Sequence, residues 1–347
     1  MSRMRLLNKL KPEQITFEGF CLIRSCAIKT NVKGASYLDL TLADCEGEAV
    51  AKKWEYDPLK DGGPYESEDI VKVRGLITEF KGAEQLKIDK IRPATEEDKG
   101  TYDLNDLIPC APFDPEWMFD ELYALTERFT DGDLKLITQH LLKMNRTALL
   151  RAPAAVKLHH ATCGGLLQHC REICEMASGI LKTYPALDSD LVYAGAILHD
   201  IGKLEELSTG KLGIASAYST EGQLLGHITI GVNLIGETGH LLGISEETIL
   251  LLQHMLLSHH GQAEFGSPKP PMFPEAEVLS ELDLLSSRLY GMYDALENVQ
   301  PGAFSDRIWS LDNRMLYQRK LPENHGAAST GEDGTAFAPA TEEDFPF

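Results

Sequence analysis

Between residues 14 and 92, apolar residues occur in short runs that alternate with polar positions and are separated by turn-forming residues. A period of two is typical of strands that are buried on one face. The pattern predicts five strands, at residues 17–23, 36–42, 49–54, 70–77 and 86–91. Five strands over so short a stretch favour a small closed barrel of the OB type, an architecture that can bind oligonucleotides.

Basic and aromatic side chains recur in this predicted barrel and could form a face that stacks bases and holds phosphates. The candidates are Lys29, Tyr37, Lys52, Trp54, Arg74, Phe80 and Gln85. In the alternative interpretation, Tyr37 and Trp54 belong to the barrel core, and the alternating lysines only solvate its outer surface. The strand pattern is compatible with both interpretations.

After residue 114 the apolar positions recur with the period of an α-helix, and turn-forming residues separate the segments. The spacing predicts helices at residues 115–129, 164–181, 189–199, 223–237, 246–258 and 275–298, and one or two helices within residues 131–150. Asp188 or Ser189 can cap the helix that leads to His199. We expect Gly202 to end that helix, because glycine commonly terminates helices.

The two patterns predict an α+β protein in which a five-stranded OB-type barrel precedes an all-α helical bundle. The expected divisions are a barrel at 14–95, a linker and first helix at 96–130, a helical domain at 131–320 and an acidic tail at 321–347. The composition of the tail predicts disorder. Its last six residues, Glu342 to Phe347, resemble the acidic C-terminal tip with which bacterial single-stranded-DNA-binding proteins dock partners, so the tail could bind a protein.

Charge and histidine are distributed unevenly along the chain. The formal net charge is −20 over 347 residues, but residues 1–100 carry 17 Lys and Arg against 18 Asp and Glu. The overall negative charge argues against nucleic-acid binding, whereas the near-neutral first part, where the basic groups concentrate, weakens that objection. Nine of the eleven histidines lie between His159 and His260.

Seven cysteines without a CxxC pair favour reduced thiols over a disulfide framework. The first residues lack the pattern of a signal peptide, and no apolar run reaches membrane-spanning length. We therefore expect a cytoplasmic protein that does not enter a membrane.

The segment from Ala196 to Lys203 places His199 and Asp200 at the end of an apolar helix. Burying such groups is costly unless something compensates, and a metal ion is the usual compensation. His169 lies upstream, and the further candidates downstream are His227, His259, His260 and Asp283. A helical bundle can direct such side chains into one cavity. Mixed imidazole and carboxylate groups suit Mn²⁺, Fe²⁺ or Zn²⁺, and so large a set fits two ions that share Asp200.

These residues also carry a resemblance to known families. The order of His169, His199-Asp200 with Lys203, and Asp283 matches the HD-domain metal phosphohydrolases. The segments 164–169, 226–228, 258–261, 264–268 and 311–314 are similar to those of the YhaM family of 3′–5′ exoribonucleases, which joins an OB domain to an HD domain. The resemblance covers residues 14–320 and leaves out the acidic tail.

The resemblance implies a divalent-metal-dependent 3′–5′ exoribonuclease that hydrolyses single-stranded RNA and could also degrade single-stranded DNA. Hydroxide generated on the ions would attack the terminal phosphodiester. The implied first metal site comprises His169, His199, Asp200 and Asp283, and Asp200 would bridge to a second site with His227 and His259. Mn²⁺ is the preferred ion, with Fe²⁺, Mg²⁺ and Zn²⁺ as alternatives, and a homo-oligomer is expected.

Several neighbouring residues have open roles. His260 would be a ligand or would orient a phosphate. Lys203 would neutralise charge on the phosphoryl oxygens, or it would be a surface lysine favoured by a helix dipole. Glu264 and Lys269 belong to a Pro-rich loop, residues 261–274, that could wall the site and contact the 3′ end. We expect the remaining histidines near the site, His159, His160 and His254, to have supporting roles.

Two other functions fit parts of the sequence. An HD phosphohydrolase of small nucleotides would use the same metal ligands but has no clear need of a barrel. A non-catalytic single-strand-binding module with a vestigial metal site would use the barrel, but the complete ligand set argues against decay of the site.

Overall fold

A computed structural model of the protein describes residues 16–320 without 32, 33, 46, 81, 157–159 and 211, together with Met4 and Leu7. The acidic tail, with its predicted disorder and protein-docking end, lies outside the described residues.

The first part of the chain is a closed five-stranded barrel, as the alternating pattern predicts. Its strands are β1 (Thr16–Thr30), β2 (Ser36–Ala43), β3 (Glu48–Lys53), β4 (Ile70–Phe80) and β5 (Ala83–Pro93), in the order β1-β2-β3-β5-β4 with β4 paired back to β1. The β3–β5 pair is parallel and the other pairs are antiparallel. Alternate residues such as Leu38, Leu40 and Leu42 fill the interior, because successive side chains of a strand point to opposite faces. This confirms the predicted OB-type barrel.

The second part is helical, which confirms the predicted α+β class. After a short helix within the barrel, α1 (Pro58–Asp61), the helices are α2 (Pro115–Glu127), α3 (Gly132–Leu149), α4 (Gly165–Thr183), α5 (Ser189–Leu198), α6 (Lys203–Glu206), α7 (Thr220–Leu242), α8 (Glu246–Ser258) and α9 (Pro274–Leu296). As expected, α5 is capped by Asp188 and α8 by Ser245, whose side chains accept hydrogen bonds from backbone N–H groups of the first turn. Within the described residues, no helix combines the length and apolarity needed to cross a bilayer.

A small hairpin, absent from the predicted elements, follows α6. Its strands are β6 (Leu207–Thr209) and β7 (Ala215–Tyr218). They turn the chain back so that α7 packs against α6. The hairpin thereby sets the distance between Asp200 and the histidine of α7.

The barrel and the helical part meet in a small apolar cluster. Leu22 and Ala43 of the barrel pack there with Ile108 and Cys163. The carboxylate of Glu68, in the loop before β4, accepts a hydrogen bond from the backbone N–H of Leu212 in the β6–β7 turn (3.3 Å). Residues predicted as a linker form two 3-10 turns, Glu96–Asp98 and Leu104–Asp106, on the way to this cluster.

Candidate metal centre

One group of ligand atoms surrounds the Oδ2 atom of Asp200. His199 Nε2 lies 3.3 Å from it and His169 Nε2 lies 3.8 Å from it. The two imidazole nitrogens are 3.2 Å apart, and Asp283 Oδ1 is 3.1 Å from His169 Nε2. We call these four residues the first cluster. Its members come from α4, the end of α5 and α9, so packing of the bundle brings them together.

A second group surrounds the other oxygen of the same carboxylate. Asp200 Oδ1 lies 3.5 Å from His227 Nε2 and 3.7 Å from His259 Nε2. His260 lies beside them, and one nitrogen from each of the three imidazoles falls within 4.8 Å of the others. We call Asp200 and these three histidines the second cluster. One carboxylate thus presents one oxygen to each cluster.

Local backbone geometry at two glycines positions these residues. Gly202 has an ordinary helical conformation (φ −63°, ψ −17°), so our expectation that it ends α5 is wrong. A glycine is required there for another reason, because a Cβ atom would stand 2.1 Å from the carbonyl oxygen of His227. Gly226 has φ 72°, which kinks α7 immediately before His227 and favours glycine.

In every histidine of the two clusters, Nδ1 contacts a group of the surrounding protein. Nδ1 of His199 donates to the carbonyl of Ala196 (3.0 Å) and Nδ1 of His259 to that of Leu256 (2.6 Å). The corresponding partners of His260, His227 and His169 are the Phe265 carbonyl, the Glu206 carboxylate and the Ser286 hydroxyl. A bond at Nδ1 fixes the ring orientation and leaves Nε2 to face a ligand.

Sequence reasoning missed three of the supporting residues. Glu206 Oε1 accepts hydrogen bonds from both the backbone N–H (2.9 Å) and Nδ1 (3.0 Å) of His227. The Ser286 hydroxyl contacts Nδ1 of His169 and the carboxylate of Glu172. The same carboxylate also contacts Nε2 of His160 (3.0 Å). Glu172 follows His169 by three residues and Ser286 follows Asp283 by three, so helical spacing could have identified both. No such spacing in the sequence shows that Glu206, rather than the adjacent Glu205, contacts His227.

Lys203 is part of the centre rather than of the surface. Its Nζ lies 2.6 Å from Asp200 Oδ2, and its side chain is only 10% exposed. It is the first residue of α6, so the alternative of a surface lysine at a helix C-terminus does not fit.

The opposite charges of Asp200 and Lys203 keep both groups ionised in the buried centre. Burial favours the neutral form of Asp200, but the positive charges of Lys203 and His199 outweigh it and hold the pKa of the carboxyl well below its usual range. Burial alone would lower the pKa of Lys203, but the ion pair with Asp200 keeps it above its ordinary value. Burial and the neighbouring His260 hold the pKa of His259 far below that of a free histidine. In the second cluster, a carboxylate beside the neutral His259 imidazole is the ionisation state that metal binding requires. In the first cluster, Asp200 and Asp283 outweigh burial and raise the pKa of His199, so metal binding there would release a proton.

Three buried polar atoms in the second cluster lack a hydrogen-bond partner among the described residues: Asp200 Oδ1, His227 Nε2 and His259 Nε2. A buried polar atom without a partner is costly. All three point toward one another, and their separations match those of atoms that share one ion at about 2.1 Å. The donor set and its unsatisfied atoms therefore fit a divalent metal ion.

The loop at residues 261–274 lies against His260. The carbonyl of Phe265 accepts from the His260 ring, and Ser267 Oγ accepts from the His260 backbone N–H (3.0 Å). The other end of the loop is held by His254, whose Nε2 accepts from the N–H of Met272 (3.0 Å). Glu264 and Lys269, our candidates for contacting the 3′ end, are exposed on this loop. His159 is outside the described residues.

The barrel brings together some of its predicted nucleic-acid residues. The rings of Tyr37 and Trp54 are 4.6 Å apart, and the ammonium of Lys52 lies 5.6 Å from the first ring centroid and 5.7 Å from the second. It also lies 6.0 Å from the ring of Phe80. Trp54 is 37% exposed, so it belongs to a surface rather than to the core. We call these four residues the aromatic patch.

The other predicted barrel residues are engaged differently. Lys29, the neighbour of Tyr37 in the β1–β2 register, forms an ion pair with Asp39 (2.5 Å). Arg74 lies opposite Glu18 and Lys90 and pairs with Asp89 (2.6 Å), so its charge is used elsewhere on the barrel. Gln85 lies opposite Thr78 near the end of the β4–β5 hairpin.

Comparison with known proteins gives a consistent result over most of the chain. The HD domain family matches residues 166–288. The chain is 41% identical over 306 residues to the 3′–5′ exoribonuclease YhaM of Halalkalibacterium halodurans (strain C-125), covering 88% of this chain and 94% of that protein. It is 40% identical over 301 residues to the protein of the same name from Shouchella clausii (strain KSM-K16), covering 87% of this chain and 92% of that protein.

Two solved structures show partial similarity. One is a replication protein A heterotrimer bound to single-stranded DNA, at 15% identity and a TM-score of 0.21 over 27% of this chain and 79% of that one. The other is the second OB-fold domain of replication protein A from Methanococcus maripaludis, at 16% identity and a TM-score of 0.20 over 26% of this chain and 93% of that one.

Proposed function

The chain belongs to the YhaM family of 3′–5′ exoribonucleases, and on this basis we propose how its metal centre and barrel act on RNA. The protein is a metal-dependent 3′–5′ exoribonuclease. The observation that carries the assignment of the centre is the convergence of three buried atoms without partners, Asp200 Oδ1, His227 Nε2 and His259 Nε2. Coordination of a metal ion would satisfy all three of these buried atoms at once.

Two divalent ions would occupy the centre. His169, His199, Asp200 and Asp283 would hold the first, and Asp200, His227, His259 and His260 the second. The ligand chemistry favours Mn²⁺, with Fe²⁺, Mg²⁺ and Zn²⁺ as alternatives. Bound ions of this kind supply Lewis-acid activation of water and neutralise charge on a phosphodiester.

The chain's own residues orient and stabilise the reacting groups. Asp200 fixes the separation of the two clusters, because each of its oxygens serves one of them. The Lys203 ammonium, held at Asp200, adds positive charge where the phosphoryl oxygens become more negative. Glu264 and Lys269 would contact the 3′-terminal nucleotide from the loop beside His260.

The barrel would hold the RNA strand upstream of the cleaved bond. In the aromatic patch, Tyr37 and Trp54 offer rings for base stacking, and Lys52 offers charge to the backbone. Lys29 and Gln85 would add backbone contacts beside it, whereas Arg74, paired with Asp89 elsewhere on the barrel, would not. These contacts are indifferent to sequence, so single-stranded DNA would bind there as well.

The direct test of the centre uses 5′-labelled single-stranded RNA of about twenty nucleotides, long enough to reach a barrel site. Wild type with Mn²⁺ should give a ladder that shortens from the 3′ end. Asp200→Ala should give intact RNA, whereas Asp120→Ala, an exposed aspartate on α2, should degrade RNA like wild type. Full activity of Asp200→Ala would place the centre elsewhere.

The alternative of an HD phosphohydrolase of small nucleotides makes a different prediction for the same enzyme. It would prefer mononucleotides, whereas a barrel with a strand-binding face should favour oligomers. A cytoplasmic location, the homo-oligomer, the domain limits and the protein partner of the acidic tail stay predictions.

A further inference from the structure

Two cysteines face each other where the chain leaves the barrel and where α4 begins. The N–H of Cys163 donates to the carbonyl of Pro109 (3.0 Å), and the N–H of Ala111 donates to the carbonyl of Cys163 (2.9 Å). These two bonds bracket Cys110 and make Cys110 and Cys163 partners in a parallel β-bridge. Neighbouring strands lie about 4.8 Å apart, which is within the Cα–Cα range of disulfides.

We propose that Cys110 and Cys163 are a thiol–disulfide pair that peroxide oxidises and thiols reduce, and that their bond fastens the barrel junction to the start of α4. The backbone already holds the two residues at bridging distance, so bond formation needs side-chain rotation alone. The described cysteines, including this pair, are free thiols in the structure, which is the reduced form of the pair.

The surroundings of the pair favour the reaction. The Cys110 thiol donates a hydrogen bond to the Cys163 sulfur, and together with the charge of Arg151 it lowers the pKa of Cys163 to about 7 against the effect of burial. The same contact, with burial, raises the pKa of Cys110. Cys163 is the attacking thiolate and Cys110 the thiol that resolves the product.

The chemistry balances in two steps. The Cys163 thiolate attacks one oxygen of hydrogen peroxide, the O–O bond breaks, and the second oxygen leaves as water after taking a proton, which gives a sulfenic acid. The Cys110 sulfur then attacks the Cys163 sulfur, the S–O bond breaks, and the hydroxyl leaves as water with the Cys110 proton. Two thiols lose two electrons and two hydrogens, and one peroxide becomes two waters.

The position of the pair gives its bond a structural effect. Both cysteines belong to the apolar cluster in which Leu22 and Ala43 of the barrel meet the β6–β7 hairpin. Gly164 follows Cys163 with φ 74° and leads into the helix that carries His169. A disulfide therefore ties the barrel side of this junction to the catalytic bundle.

The test treats the reduced, full-length protein with equimolar peroxide, blocks remaining thiols by alkylation, and digests it with trypsin without reductant. Mass spectrometry should find a linked peptide containing Cys110 and Cys163, lighter by two hydrogens than its parts, which a dithiol reductant separates. The peptide from 158 to 171 also contains Cys170, so fragmentation must assign the bond. Full alkylation of both thiols would overturn the proposal.

Variants identify the partners and the structural effect. Cys110→Ser and Cys163→Ser should each lose the linked peptide, and Cys45→Ser should keep it. A bond from Cys110 to Cys45, whose backbone N–H donates to the carbonyl of Asp106 (3.1 Å), would contradict the pairing. Wild type should melt at a higher temperature oxidised than reduced, and Cys110→Ser should show no such difference. An equal melting temperature of oxidised and reduced wild type would refute the fastening role.

Discussion

Lys203 Nζ lies 2.6 Å from Asp200 Oδ2, the oxygen that also faces His199 Nε2 at 3.3 Å. The lysine is therefore bound to the same atom that would ligate the first ion. This ammonium keeps Asp200 ionised, and beside the proposed metal site it would also neutralise an arriving anion such as a scissile phosphate.

Lys203→Met should consequently lower kcat about 100- to 1000-fold while the KM for RNA changes little, because the lost charge acts on the transition state. Steady-state cleavage of labelled RNA measures both constants. Lys182→Met, in the last turn of α4, is the control and should leave both unchanged. A large rise in KM with kcat intact would show that Lys203 binds the ground state instead.

Glu206→Gln should weaken metal binding at the second of the two proposed sites. The carboxylate holds His227 through its backbone N–H and its Nδ1, and loss of such a support typically costs about 10- to 100-fold in metal affinity. Calorimetric titration with Mn²⁺ should show the second site weakened and the first retained. Glu205→Gln changes the exposed neighbouring residue and should bind like wild type. Two unaltered sites in Glu206→Gln would exclude this supporting role.

Trp54→Ala should reduce the affinity of the protein for long single strands. Loss of one stacked base costs about 1–3 kcal/mol, which corresponds to roughly 5- to 150-fold in affinity. Fluorescence anisotropy with the catalytically inactive Asp200→Ala background measures the affinity. Trp309→Ala removes another exposed tryptophan, outside the barrel, and should have no effect. Equal loss in both variants would argue against a specific stacking site.

Lys52→Ala should reduce the salt dependence of the same binding. One phosphate contact fewer lowers the slope of log K against log salt by about one. A weaker affinity with an unchanged slope would mean that Lys52 packs the aromatic rings without touching the backbone of the strand.

Asp98→Asn should lower the melting temperature at neutral pH, and the difference from wild type should shrink as the pH falls below about 4. The Asp98 carboxylate accepts hydrogen bonds from both terminal guanidinium nitrogens of Arg92 (2.6 and 2.8 Å) and from the backbone N–H of Thr95. Because these bonds favour the ionised form, they hold the pKa of Asp98 below its usual range. A carboxyl with a lowered pKa stabilises the fold fully above its unfolded pKa of about 3.9. This contribution declines below that pH and is lost only as the pH falls through the lowered pKa of the folded state.

Thermal unfolding from pH 7 down to pH 3 measures the Asp98 effect. Glu97→Gln, an exposed change in the same turn, should follow wild type at every pH. A constant difference between Asp98→Asn and wild type over the whole range would show that charge is not the cause.

Sequence patterns predict the barrel and the helices because both depend on local periodicity and capping. The strand at 36–42 alternates strictly, and Asp188 and Ser245 are side chains that accept hydrogen bonds at helix starts. The proposed metal-binding histidines stand out in the sequence because imidazole and carboxylate groups buried at helix ends are costly without a ligand.

The remaining details depend on contacts distant in sequence. Glu206 reaches His227 because an unpredicted hairpin returns the chain beside α6. Gly202 is needed for the close approach of the His227 carbonyl, whereas a local rule assigns it to a helix end. Neither relationship leaves a periodic or capping signal, so both require the folded structure.

The hydrogen bonds at Nδ1 mean that the imidazoles are aimed before any ion arrives. Their rings are held by carbonyls of helix ends and by Glu206, all of which belong to the fold itself. In the proposed metal centre, folding and metal loading would thereby be separate events. The protein would release and exchange its ions without unfolding, so the ion bound at a given time would reflect the supply around the folded protein rather than conditions at the moment of folding.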